Sequence, residues 1–370
     1  MSEKILNVVI KLRRETEEFY DKVKDTFIPL NGEVCLVDSI NYGLRTKVGD
    51  GKTLWKDLPY KGLDVLKIYG DSSSSDTSAT VNGKVYDTPE AAVEAAPAGS
   101  EVVIQNSLGE KTVTIDKELT INLNSAEIKN DEATPMVVGI NGNLILKDGG
   151  LESNKKDEGV LVARGEVTLN NCNLTRTDIN NLYYTGVNHG KMTVNSGVFS
   201  APGTSQKGSS MFENGYWDYN SGNEKNGYVP GVNQQFPELI INGGSFFNPF
   251  YIIKNDDGGK LTINDGEFYG TILHNGIEMT INGGHFTTTD GTYPLSIRNL
   301  SDDLNPAHTV INGGTFDGNC RTIVWNSGDK PLDIKVKGGK FIIAVDEQYI
   351  AEGYEQKLVE GWYTITKKGE

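Results

Sequence analysis

Cysteine is scarce. There are three in 370 residues, at positions 35, 172 and 320, far apart and without a Cys-x-x-Cys pair. That spacing excludes a disulfide framework or a zinc cluster and suits a chain folded in a reducing cytoplasm. The four histidines, at 189, 274, 285 and 308, also lack metal-ligand spacing. Long apolar runs are missing: no stretch approaches the roughly 18 apolar residues of a membrane helix, and the run at 5–10 is too short for a secretory signal. Basic residues are outnumbered, 35 against 50, for a net charge of −15. The imbalance is uneven: residues 1–62 hold 11 basic and 10 acidic groups, leaving 24 and 40 for the rest. An acidic body of that kind repels phosphate backbones, so nucleic-acid binding is excluded, and the glycine doublets lack the Lys-Ser/Thr pair of a phosphate loop. No cofactor or metal is expected.

Glycine is abundant, 43 residues, well above the roughly 7% of ordinary chains and without a collagen period. The excess has a source, because from residue 81 onward the chain repeats. Short alternating apolar runs end in Asn-Gly-Gly-X-Phe at residues 242–246, 282–286 and 312–316, and in Asn264-Asp265-Gly266-Glu267-Phe268. Weaker copies end at Phe341, Phe199, Leu174, Leu151 and Ile128. In chain order the end positions are 23, 23, 25, 47, 22, 18, 30 and 25 residues apart. A period near 23 with strand–turn–strand content predicts one coil of a parallel β-helix, with Phe above Phe and Asn above Asn in successive coils. The 47-residue step contains an extra coil or a long insertion, and the Gly/Asn/Ser-rich composition of 201–236 favours a strandless insertion.

The chain divides into three parts. Residues 1–62 form a small α+β domain, with a strand over 4–12, a helix start within 14–23, a strand at 34–38, a tight turn at Asp50-Gly51, and Trp55 and Leu58 anchoring a small core. Residues 63–80, with Ser72-Ser73-Ser74-Ser75, read as a flexible linker. Residues 81–370 are the solenoid. A helix at about 88–96, opened by Thr88-Pro89-Glu90, covers its first coil, and residues from about 345 to the end close the other.

Three blocks of the first part carry a resemblance: Leu12-Arg13-Arg14-Glu15-Thr16, Pro29-Leu30-Asn31-Gly32-Glu33, and residues 47–60 with their Lys-Val-Gly-Asp-Gly-x-Thr-x-Trp-x-Asp-Leu-Pro-Tyr pattern. They resemble the N-terminal module of tailed-bacteriophage fibre and tropism-determinant proteins, over about one sixth of the chain. The resemblance implies docking on phage capsid or tail proteins through residues 1–62, with Gly49, Asp50, Gly51, Trp55, Leu58 and Tyr60 in the docking motif. It also implies a homotrimer and a place in the virion, the chain being made in the host bacterial cytoplasm. The repeats are similar to the right-handed, pectate-lyase-type β-helix superfamily, in adhesin-type form. That fold serves enzymes, adhesins and passive stalks alike.

Two clusters are candidates for function. Stacking the repeats aligns the X residues Ser245, Glu267, His285, Thr315 and Lys340 in one outward column, which makes Glu267 and His285 neighbours, with Asp256, Asp257 and Asp265 near in sequence. Such a column equally describes a solvated acidic face, so no catalytic residue is assigned; if chemistry is present, Glu267, His285 and Asp265 would carry it. The second cluster is Tyr216, Trp217 and Tyr219, with Tyr228, in a polar glycine-rich stretch. Aromatic faces beside Asp and Asn suit sugar rings, while the same rings would equally serve to pack a long loop on the solenoid or against another subunit. Asp256-Asp257-Gly258 has a calcium-like look with incomplete ligand spacing. The expectation is a non-enzymatic short fibre of the phage head or tail that attaches to host-surface or mucus glycans. The alternative is a tail-spike polysaccharide depolymerase on the same scaffold.

Overall fold

The computed structural model describes residues 12–16, 22, 25–28, 34–39, 43–48, 51–58, 79–105, 111–155, 159–177, 184–201, 210–215, 236–288, 292–298, 306–318, 320, 322–326 and 331–369. They belong to two compact units, Met1–Ser75 and Asp76–Glu370. The Ser-rich stretch at 72–75 lies outside the described residues, and the second unit already has a strand at Ala79–Val81, inside the expected linker.

In the first unit, strands β1 (Leu12–Thr16), β2 (Val34–Ser39) and β3 (Gly43–Val48) form one sheet, β1 parallel and β3 antiparallel to β2. Residues 14–16, expected at a helix start, are therefore strand: pairing with β2 supplies backbone partners and overrides a weak local signal. Trp55 and Leu58 are buried, as expected. The Trp55 N–H donates to the Phe27 carbonyl at 2.8 Å. The buried Lys47 ammonium lies 4.6 Å from the Trp55 ring centroid and donates to the Trp55 carbonyl, so its charge is met by a π face and an oxygen.

The second unit is mainly β, a long and mostly parallel sheet. It opens with an antiparallel hairpin, Ala79–Val81 against Lys84–Tyr86, and a helix, α1 (Pro89–Ala95). The Thr88 hydroxyl caps α1 by accepting from the Ala91 N–H at 3.1 Å, and Pro89 occupies the first turn, as the sequence predicts. Lys117 donates to the carbonyls of Glu94 and Ala96 at the other end of α1.

Beyond α1 the strands pair in three parallel ladders. The first runs through Val113–Ile115, Met136–Val138, Leu161–Ala163, Gly186–Asn188 and Ser210–Asn214 into the later halves of Ser245–Asp256 and Glu267–Asn275. The second includes Lys191–Val194, Glu238–Ile241, Lys260–Ile263, Glu278–Ile281 and His308–Ile311. The third carries the repeat ends. Its register places Ile128, Leu151, Leu174, Phe199, Phe246, Phe268, Phe286, Phe316 and Phe341 opposite one another in the order read from the sequence. From Phe246 to Phe341 the rings stack with centroids 4.6–5.0 Å apart. Each is buried, a gain of roughly 1.5–3 kcal/mol per ring.

The glycine before each X follows from this stacking. Gly284 has φ +99°, and a Cβ there would lie 3.1 Å from the Gly266 carbonyl oxygen in the preceding repeat. At the turns the amides of Asn170, Asn195, Asn242, Asn264, Asn282 and Asn312 form a chain, each side-chain nitrogen donating to the preceding side-chain oxygen at 2.7–2.8 Å.

The 47-residue step is one repeat lengthened by an insertion, the alternative the composition favours: Phe199 pairs directly with Phe246, so no repeat end is hidden between them. The stretch 201–236 is not strandless, however, since Ser210–Asn214 is a strand of the first ladder. Its Phe212 packs edge-on against Phe199 and Phe246, at 5.4 and 5.8 Å. The physical reason is burial: one apolar pair, Met211-Phe212, holds a short strand in the core among polar neighbours. At the far end the hairpin Tyr354–Val359/Trp362–Lys367 pairs antiparallel with Gly339–Phe341, Phe341 opposite Tyr363, and so covers the exposed edge.

Candidate functional site on the outward face of the phenylalanine ladder

Along each strand of the third ladder the core Phe points inward, and the residues before and after it point outward. Register then builds two outward columns. One holds Ser245, Glu267, His285, Thr315 and Lys340; the other holds Phe247, Tyr269, Thr287 and Asp317.

Glu267 and His285 are opposite each other, as the repeat spacing predicts, and Glu267 Oε2 is 2.8 Å from His285 Nδ1. The other ring nitrogen, Nε2, is 2.7 Å from Asp317 Oδ2. Asp317 reaches it diagonally, being opposite Thr287, two residues along the strand. Burial pushes the His285 pKa down, but the hydrogen bonds to Asp317 and Glu267 outweigh it, and the net shift is upward. When protonated, His285 donates both ring N–H groups, one to each carboxylate. An imidazolium clamped in this way has no lone pair for base chemistry, and it can give up a proton only by breaking an ion pair. The arrangement is suited to holding fixed charge and hydrogen-bond acceptors toward a ligand.

Beside this triad are two exposed aromatic rings, Phe247 and Tyr269, 40% and 39% accessible. Their centroids are 4.6 Å apart and their planes 8° from parallel. Aromatic rings of this size are normally buried, and here two stack side by side on the surface next to charged groups.

Of the expected partners of Glu267 and His285, Asp265 stays at its own turn and accepts from the Gly266 N–H at 2.9 Å. Asp256 belongs to the first ladder, where it pairs with Lys254 at 2.7 Å, so neither joins the triad. The reason is that sequence proximity spans a corner between ladders, whereas Asp317 lies one repeat beyond His285 on the same face. Phe247, Tyr269 and Asp317 were missed by considering only the X position. The residue two places after X shares its face by the strand period, and that signal was available. Tyr216, Trp217, Tyr219 and Tyr228 lie outside the described residues, as do Gly49, Asp50 and Tyr60. Gly51 has φ +74°, consistent with the expected turn.

Comparison with known proteins gives no match to any family, to any curated protein or to any solved structure.

Proposed function

We propose that the chain is an attachment fibre of a tailed-phage particle. Residues 1–62 dock it on capsid or tail proteins, and residues 81–370 present a right-handed parallel β-helix to glycans of the host surface or mucus. It works as a homotrimer and without catalysis. The resemblance of the first unit's sequence blocks supports the docking role. Trp55 and Leu58 are core residues, so their part in docking is to hold the shape of the Gly51–Leu58 turn. The β-helix reading is supported by three parallel ladders, each strand in register with the one a repeat later. Crossovers between parallel strands of one sheet are right-handed in nearly all proteins, which supports the hand.

The observation that carries the glycan reading is the exposed, stacked Phe247–Tyr269 pair beside the His285 triad. Sugar rings stack their CH faces on such aromatics while hydroxyls bond to carboxylates alongside. The test is binding of the purified chain to host-surface polysaccharide. Tyr269→Ala should weaken it at least tenfold without changing the melting temperature, and unchanged affinity would overturn the reading.

A second reading, a polysaccharide depolymerase, rests on the two carboxylates that flank His285. Release of new reducing ends, lost in Glu267→Gln, would establish it over the first.

A further inference from the structure

The first ladder has an outward face of its own, one that is covered over. Val187, Glu213, Lys254 and Leu273 are opposite one another in successive strands, and Asp256 follows Lys254 on the same face. Val187 and Leu273 point outward yet are only 6% and 5% accessible. Three acids meet at this face, Asp256 buried and Glu213 and Asp257 half-buried. One carboxylate oxygen each from Glu213, Asp256 and Asp257 falls within a 4.8 Å sphere of mutual distance, the one such group among the described residues.

Two features separate this cluster from an ordinary acidic surface. Asp256 is 6% accessible, and its Oδ2 pairs with Lys254 Nζ at 2.7 Å while its Oδ1 is buried with no hydrogen-bond partner. That oxygen leans toward Gly215, in the chain just after Glu213: a Cβ on Gly215 would sit 3.0 Å from it. The unpartnered oxygen is thus turned toward the strand that brings the second acid. Glu213 lies opposite Lys254 in the ladder, so strand register brings a second carboxyl to the Asp256–Lys254 pair. Were all three carboxyls ionised, the single Lys254 ammonium would leave two negative charges without a counter-ion.

We infer that Glu213, Asp256 and Asp257 form a binding site for one divalent cation of the calcium type, which cross-links the Ser210–Asn214 strand to the turn after Asp256. Oxygens on opposite sides of a calcium ion, each at 2.3–2.6 Å, are at most about 5 Å apart, which the cluster satisfies. The donors are all oxygen, with neither His nor Cys, which selects a hard cation over zinc or copper. Sequence spacing alone shows only the Asp256-Asp257 half of the site; pairing of Glu213 with Lys254 adds the third ligand from the preceding repeat.

The test is calorimetric titration of the full, chelator-stripped chain with calcium chloride, alongside its melting temperature. One ion per chain should bind, with saturation below about 1 mM, and the melting temperature should rise. Asp257→Asn should weaken binding at least tenfold. Asp257 is at a turn with φ +43°, where asparagine is at ease, so this variant should fold. Glu213→Gln should weaken binding similarly, and Glu267→Gln should leave it unchanged. Absence of binding heat with millimolar calcium, or wild-type affinity in Asp257→Asn, would overturn the inference.

Discussion

His274 continues a buried chain of asparagines: its Nδ1 is 2.9 Å from the side-chain nitrogen of Asn255. Asn188 donates to Asn214, and Asn214 to Asn255, at 2.7 and 2.6 Å. The chain's direction fixes the tautomer. Asn255 donates to Nδ1, and Nε2 faces the His308 carbonyl at 3.2 Å, so the single ring proton is on Nε2. Burial holds the His274 pKa down, at about 4, since a charged ring there would be cut off from water. A depressed histidine leaves stability intact above the unfolded value, near pH 6.5. Stability is then lost as pH falls toward 4, because the unfolded chain binds the proton first. The loss should reach roughly 3 kcal/mol. His274→Asn, which extends the amide chain, should remove that part of the acid sensitivity. Denaturant unfolding at pH 7 and pH 4.5 measures it, and equal acid losses in both proteins would rule the account out.

The two amide chains should differ in strength although their chemistry is the same. Asn264 is exposed at the turn and Asn214 is fully buried, each donating to one neighbouring amide and accepting from the other. Water can replace the lost partner in Asn264→Ala, at a cost of about 1 kcal/mol. Asn214→Ala strands the Asn188 donor and the Asn255 oxygen in the core, so about 3 kcal/mol is expected. Paired urea melts decide this, and equal costs would mean that burial does not set the value of these bonds.

Phe268 stands between Phe246 and Phe286 at 5.0 and 4.8 Å, with no solvent exposure. Phe268→Ala should cost about 3–5 kcal/mol by leaving a cavity that neighbouring strands cannot close. Phe268→Leu should cost less, since most of the volume is retained. Loss of far-UV β signal on heating measures both, and a leucine variant as weak as the alanine one would show that ring stacking, more than volume, holds the ladder.

The phenylalanine order and the exposed asparagine chain were legible in the sequence because both sit at fixed offsets from a glycine pair that the turn geometry demands. Phe212 was not: it lies in a short strand flanked by polar residues, and no repeat signal marks it. The Glu267–His285 contact was readable from register, whereas Asp317 required counting two residues further on a neighbouring repeat. The buried amides were hidden for another reason. Asn188, Asn214 and Asn255 point inward at positions that alternation assigns to apolar side chains, and only pairing along the ladder reveals that each satisfies the next.

His285 should give the opposite pH response to His274. Its pKa is raised, because the bonds to Asp317 and Glu267 favour the cation more than burial disfavours it. A raised histidine contributes stability that is fully present below the unfolded value, near pH 6.5, and is lost as pH rises through the folded value. Its partial exposure keeps the effect modest. Between pH 6 and pH 9, therefore, the melting temperature of the wild-type chain should fall by more than that of His285→Gln, which hydrogen-bonds without charge. Glu267→Gln should shrink the same pH dependence by removing one of the two anions. If the triad rather than the aromatic pair set ligand affinity, binding would follow this titration too. Affinity that stays constant from pH 6 to pH 9 while stability declines would assign recognition to Phe247 and Tyr269.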